Sequence, residues 1–134
     1  MNKEVIIVIA EDDAGYANLL KRTVRRAGFE NEIKNFSDGE QTLDYFFGDT
    51  SDLTRQHHLL LLDIRMPKVD GFTVLRKLRQ DLKEIYLPVI IITTTDDPHE
   101  IEKCYKLGCN SYMVKPIEDK SFVDAFNQTG LFNV

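Results

Sequence analysis

Residues 59–63 read Leu-Leu-Leu-Leu-Asp, an unbroken apolar run that ends on a carboxylate. Four residues are too few for a helix, and a strand with one wet face would alternate apolar and polar positions. Leu59 to Leu62 therefore reads as a strand buried on both faces. The same pattern recurs on either side. Val5 to Ala10 is a continuous run that stops at Glu11-Asp12-Asp13, Val89 to Ile92 follows Pro88 and stops at Thr93 and Thr94, and Tyr112 to Val114 stops at Lys115-Pro116. A more polar candidate, Asn31 to Phe36, suits a sheet edge.

The intervals between these runs carry helical periodicity, as in Phe72, Leu75, Leu78 and Leu82, or Leu43, Phe46 and Phe47. Ser37 with Glu40 predicts a capping box, Asp97 before Pro98 predicts a helix start, and Gly108 predicts its stop. Tyr105 and the phenylalanines fit core stripes. Strand and helix alternate five times, which predicts a parallel sheet with helices on both faces, joined by right-handed crossovers. Residues 48–56 read as a surface loop, and no repeat or linker divides the chain, so a single domain over 1–134 is expected.

With 134 residues, 43% hydrophobic and 29% charged, the composition is that of an ordinary globular domain. No apolar run approaches the roughly 18 to 20 residues of a membrane span, and the N-terminus turns acidic too early for a signal peptide, so a cytoplasmic protein without membrane contact is expected. A net charge of -5 opposes nucleic-acid binding. Lys21, Arg22, Arg25 and Arg26 lie opposite Tyr16, Leu20, Val24 and Ala27 and read as a solvated helix face. Cys104 and Cys109 fit neither a disulfide framework nor a zinc site and read as reduced and structural. His57 and His58 point to opposite faces of a strand, cannot share a metal, and read as structural.

In open parallel sheets the ligand site lies beyond the carboxyl ends of the strands, so the residues that end each run carry the chemistry. Asp12 and Asp13 follow the first strand, Asp63 the third, Thr93 the fourth and Lys115 the fifth. Carboxylates crowded there repel by about 4 kcal/mol per pair at 4 Å and an effective dielectric near 20, which calls for a hard divalent cation. Magnesium, with one or two carboxylates, waters and a substrate phosphate, fits that donor set. Lys115 and the Thr93 hydroxyl complete a pocket for a phosphoryl group attacked by Asp63. An Asp-Asp pair after a strand is also a common helix cap, so the joint placement of these residues weighs more than any one of them.

The motifs AEDD (residues 10–13), LLLLDIRMPKVDG (59–71), PVIIITTT (88–95) and SYMVKP (111–116) together resemble the receiver domain of response regulators, over nearly the whole chain. The spacings from Asp63 to Thr93 and from Thr93 to Lys115 are similar to those of the bacterial chemotaxis receiver. The resemblance implies a flavodoxin-like sheet in the order 2-1-3-4-5 with helices on both faces. It implies a phosphoacceptor signalling domain that assists its own phosphorylation and dephosphorylation, and no other enzyme activity. Asp63 is then the phosphoacceptor. Asp13 is a direct magnesium ligand, Asp12 a ligand through water, and the Arg65 backbone carbonyl a further ligand. Thr93 and Lys115 hold the phosphoryl oxygens, Thr93 and Tyr112 form the switch, and the Lys115-Pro116 peptide is cis. Arg65 and Thr94 stand where they would govern access to the phosphate.

A narrower resemblance, to the small receivers that serve phytochrome-type sensor kinases, rests on the loop before the third strand, the triple threonine and CYKLGCNSYMVKPIEDKSF. It implies a sensor histidine kinase, hybrid kinase or phosphotransfer protein as phosphoryl donor. The chain stops soon after the helix with Phe122 and Phe126, so output is expected through a downstream protein partner and not through nucleic acid. A homodimer is expected through the surface running from the helix with Ile101 and Tyr105, across Tyr112, to that last helix. Three competing readings fare worse, and a degenerate receiver acting as a constitutive interaction module is opposed by the presence of Asp12, Asp13, Asp63, Thr93 and Lys115 together. A phosphohydrolase with an aspartate nucleophile needs a second acid two residues on, where Arg65 stands, and no Gly-rich loop supports nucleotide binding.

Overall fold

The computed structural model describes residues 4–48 and 53–132. Strands and helices alternate as β1 (Ile6–Ala10), α1 (Ala14–Arg26), β2 (Ile33–Phe36), α2 (Gly39–Phe47), β3 (His58–Leu62), α3 (Gly71–Asp81), β4 (Val89–Thr93), α4 (Pro98–Leu107), β5 (Ser111–Val114) and α5 (Asp119–Gln128). All strand pairs are parallel, and the sheet order is β2-β1-β3-β4-β5. Every residue of β1, β3 and β4 is buried, whereas β2 at the edge is half-exposed, as its polar sequence predicts.

Alternation along the strands sorts the core into two layers. Ile7, Ile9, Leu59, Leu61, Ile90 and Ile92 pack against Leu20 and Val24 of α1 and Phe122 and Phe126 of α5. Val8, Ala10, Leu60, Leu62, Val89 and Ile91 pack on the other face against Phe46 of α2, Leu75 and Leu78 of α3 and Cys104 of α4. The ladder continues one residue past the strands. The Glu11 N–H donates to the Phe36 carbonyl (3.0 Å), that of Asp63 to the Ala10 carbonyl (3.0 Å) and that of Lys115 to the Thr93 carbonyl (2.8 Å). These bonds fix the main chain of the residues that leave the sheet at one edge.

Helix α4 starts and stops as the sequence predicts: Asp97 accepts from the His99 N–H (2.9 Å), Pro98 opens the helix, and Gly108 closes it at φ 102°. The Cys109 N–H then reaches back to the Cys104 carbonyl (3.0 Å) and the Gly108 N–H to that of Tyr105 (3.0 Å), the paired bonds of a Schellman cap. Both thiols are buried, and burial pushes them up to about 11 for Cys104 and about 12 for Cys109, which suppresses the reactive thiolate. The Lys115-Pro116 peptide is cis.

Several expectations shift. The cap of α2 is Asp38, not Ser37: Asp38 accepts from the Gln41 N–H (2.8 Å), and Gln41 in turn accepts from the Ser37 N–H (3.2 Å). The first helical residue is Gly39, because any Cβ there would collide with the Val69 carbonyl. Tyr105 and Phe47 are exposed, since α4 buries only Cys104 and α2 seats Phe46 in the core instead. The basic face of α1 is also not merely solvated. Arg25 donates to the carbonyls of Phe29 and Asn31 (2.9 and 2.8 Å), and Arg26 forms a two-pronged contact with Asp119 of α5. His57 is exposed and His58 buried, with the His58 ring bonded to the Tyr45 hydroxyl (2.7 Å) and the Gln56 carbonyl (3.0 Å). Part of the loop expectation for 48–56 falls on residues 49–52, outside the described residues. No described helix is long and apolar enough to cross a membrane.

Candidate functional site

The carboxyl edge of the sheet gathers Glu11, Asp12, Asp63, Thr93 and Lys115. Strand order explains the meeting. Ala10 is paired with Leu62, so the next residues along, Glu11 and Asp63, leave adjacent strands side by side. Lys115 leaves β5 next to Thr93 at the end of β4. Gly71 brings α3 down onto this edge, since a Cβ at that position would press on the Asp63 carbonyl oxygen and the Ile64 Cα.

Carboxylate oxygens of Glu11, Asp12 and Asp63 lie within 4.8 Å of one another. Glu11 and Asp63 are 2% and 6% exposed, while Asp12 opens to solvent. The Lys115 ammonium touches the Glu11 carboxylate and the Asp63 Oδ2 (3.1 Å), and it lies 4.1 Å from the centre of the Tyr16 ring. Burial pushes the Glu11 carboxyl up to about 7, against the lowering effect of its hydrogen bond with Lys115. Burial works against the Lys115 charge too, but its hydrogen bonds with Glu11 and Asp63 outweigh it and hold the ammonium above its ordinary value. The other Asp63 oxygen, Oδ1, accepts from the Arg65 N–H (3.1 Å).

Two further groups have defined positions. The Thr93 hydroxyl is completely buried and, among the described residues, has no hydrogen-bond partner, an uncompensated polar group on the strand that ends next to Lys115. Tyr112 packs into the same core layer as Val89 and Ile91, the strand face that alternation also gives Thr93, and its hydroxyl donates to the Thr95 carbonyl (2.9 Å).

Asp13 stands apart from the cluster, contrary to its expected place as a direct ligand. Its side chain caps α1 by accepting from the Tyr16 N–H (3.1 Å), and its own N–H donates to the Glu11 carboxylate (3.2 Å). The physical reason is register. The β1 ladder ends with Glu11, so the third acid of the run has already turned into the helix. Glu11 was overlooked, yet it is the first polar residue after its apolar run, as Asp63 and Lys115 are after theirs.

The donor set fits a hard divalent ion. It consists of carboxylate oxygens, two of its members are buried, and the Lys115 ammonium contacts two of its three acids.

Over residues 7–127 the sequence matches the response regulator receiver domain. The chain belongs to that family. This receiver is similar to a probable methanogenesis regulatory protein, FilR2, of Methanothrix harundinacea, at 33% identity over 84% of this chain and 72% of that protein. It spans under half the length of several transcriptional regulators that it also matches. Among solved structures, it resembles a response regulator receiver domain from Rhodospirillum rubrum, with 40% identity, TM-score 0.75, and coverage of 95% of this chain and 92% of that one. The bacteriophytochrome response regulator RtBRR is similar at 34% identity and TM-score 0.79, covering 98% of this receiver and 80% of that chain.

The raised Glu11 gives a pH dependence with a definite sign. Between about 4.5 and about 7 the folded receiver holds a proton on Glu11 that the unfolded chain releases, so metal-free stability falls as pH rises through that window. The contribution is at most about 3 kcal/mol. Urea unfolding in chelator at pH 4.5 to 7.5 measures it, and Glu11→Gln is expected to flatten the slope. An equal slope in that variant would contradict the assignment.

Proposed function

We propose that residues 1–134 act as a single receiver domain that takes one phosphoryl group onto Asp63. The carrying observation is a buried carboxylate at the centre of the sheet edge, flanked by a lysine ammonium and an unpartnered threonine hydroxyl. Glu11, Asp12 and Asp63, together with the Arg65 carbonyl, would hold a magnesium ion. When bound, that ion neutralises charge on the phosphoryl oxygens.

The chain's own groups do the rest. The Arg65 N–H orients the Asp63 carboxylate, whose oxygen attacks phosphorus as the phosphoryl–nitrogen bond of a phosphohistidine donor breaks. Lys115 passes from the two carboxylates to a phosphoryl oxygen, and Thr93 donates the hydrogen bond that it lacks in the resting state. Drawing Thr93 toward the phosphoryl group alters the packing that Tyr112 shares with it, a shift between two populations. No carboxylate stands at position 65 to activate water, which favours a persistent acyl phosphate over turnover.

The likeness to a bacteriophytochrome response regulator supports a phytochrome-type histidine kinase as donor. A net charge of -5 supports output by protein contact rather than nucleic-acid binding, with the receiver in the cytoplasm. Exposed Tyr105 on α4 and Val114 on β5, beside a shallow pocket lined by Tyr112, Ile117 and Ser121, support self-association through that face.

Acetyl phosphate with magnesium is expected to add one phosphoryl group to the intact mass. Asp63→Asn is expected to abolish labelling and Glu11→Gln to reduce it strongly, while Asp13→Asn, which keeps a capping side chain, retains it. Undiminished labelling of Asp63→Asn would overturn the assignment. Sedimentation with and without the phosphoryl mimic beryllofluoride tests self-association, with stronger association expected in the activated state. A monomer in both states at high concentration removes the dimer.

A further inference from the structure

The Arg65 main chain and side chain point to different tasks. Its N–H already touches the Asp63 carboxylate, yet its guanidinium turns away to Glu100 on α4, with Nη2 at 3.0 and 3.2 Å from the two carboxylate oxygens. Both contacts use a single nitrogen, so the planar fork that makes arginine pairs strong is not engaged. The Arg65 side chain is 65% exposed, and little packing holds it in that rotamer. Glu100 would keep a partner if Arg65 left, because it also accepts from the Thr95 hydroxyl (2.7 Å) and sits in the first turn of α4, where the helix dipole favours an acid.

We infer that Arg65 is a phosphoryl-contacting residue held in reserve, latched by Glu100 in the resting state and drawn to the phosphoryl group once Asp63 carries one. This rests on the reading of Asp63 as phosphoacceptor. The charge balance favours the swing. Lys115 is the cation in contact with Glu11 and Asp63, and a phosphoryl group brings about -1.5 to -2 more charge to the same edge. A guanidinium bonds phosphate oxygens through two nitrogens, and that arrangement outcompetes a single-nitrogen contact with a carboxylate. A rotamer change suffices, because the Arg65 backbone is already at the site. The swing also changes the load on Glu100 and Thr95, and the Thr95 carbonyl holds the Tyr112 hydroxyl. Arg65 thus links occupancy of Asp63 to α4 and β5 by a second connection, separate from the Thr93 hydroxyl.

The test is equilibrium binding of beryllofluoride, with magnesium, to the full chain and its variants. Arg65→Ala is expected to weaken binding roughly tenfold or more, as loss of a charged hydrogen bond does. Glu100→Gln, which unlatches the guanidinium, is expected to tighten it roughly twofold to fivefold. The double variant should bind like Arg65→Ala alone, because the gain from Glu100→Gln acts only through Arg65. Amide exchange supplies a readout independent of magnesium: in metal-free protein, Arg65→Ala should speed exchange in the first turn of α4. Unchanged affinity in Glu100→Gln, or the same gain with and without Arg65, would overturn the latch. Failure of the wild-type chain to bind beryllofluoride would instead overturn the phosphoacceptor reading, and this inference with it.

Discussion

The Lys115 ammonium between Glu11 and Asp63 is what allows two buried acids to stand side by side at the end of this sheet. Without it, each carboxylate would lack an opposing charge in a site largely closed to water, and removing one partner from such a cluster typically costs about 3–5 kcal/mol. The cluster stays electrostatically unfinished even so. The Lys115 ammonium contacts two of the three acids, and burial, with a smaller push from the Asp63 charge, raises the Glu11 carboxyl to about 7. The cation proposed for this site would relieve that imbalance.

The fold brings these residues together through hydrogen-bonded register, not through long side chains reaching across a pocket. β1 and β3 are neighbours, so Glu11 and Asp63 leave the ladder together, and β4 and β5 deliver Thr93 and Lys115 in the same way. Strand alternation then places Thr93 and Tyr112 against one core layer, between the sheet and helices α2 to α4. The Thr93 hydroxyl, without a hydrogen-bond partner among the described residues, is the proposed point where charge chemistry at the edge meets packing inside the domain. A buried donor without a partner is costly, and a ligand oxygen that satisfies it gains that free energy.

The sheet was legible because strands buried on both faces leave continuous apolar runs, and β2, which lacks such a run, is one edge; β5 at the other edge is only half-buried despite its apolar Tyr112 to Val114, because no strand covers its outer side. Asp63, Thr93 and Lys115 were placed at the site by the same signal. The first strand ends at Ala10 as expected, but the acidic cluster takes Glu11 and Asp12 where the sequence reading takes Asp12 and Asp13. Three consecutive acids after Ala10 offer two roles, cluster member and helix cap, and composition alone does not divide them. Register divides them, since one more ladder bond keeps Glu11 in line with the sheet while Asp13 turns to cap α1. A similar slip moved the α2 cap from Ser37 to Asp38, where the decisive fact, the approach of Val69 to Gly39, lies far off in sequence. The Arg65–Glu100 contact joins a loop to a helix thirty-five positions away and leaves no sequence pattern.

Glu11, not Asp13, belongs to the acidic cluster that is proposed to receive the cation. Calorimetric titration of magnesium into wild type, Glu11→Gln and Asp13→Asn at a pH above 7.5, where Glu11 is ionised, tests it without any phosphoryl donor. The expected result is magnesium affinity at least roughly tenfold weaker in Glu11→Gln, as for loss of a charged contact, and close to wild type in Asp13→Asn. The reverse order, with Asp13→Asn losing the ion and Glu11→Gln keeping it, would contradict the account.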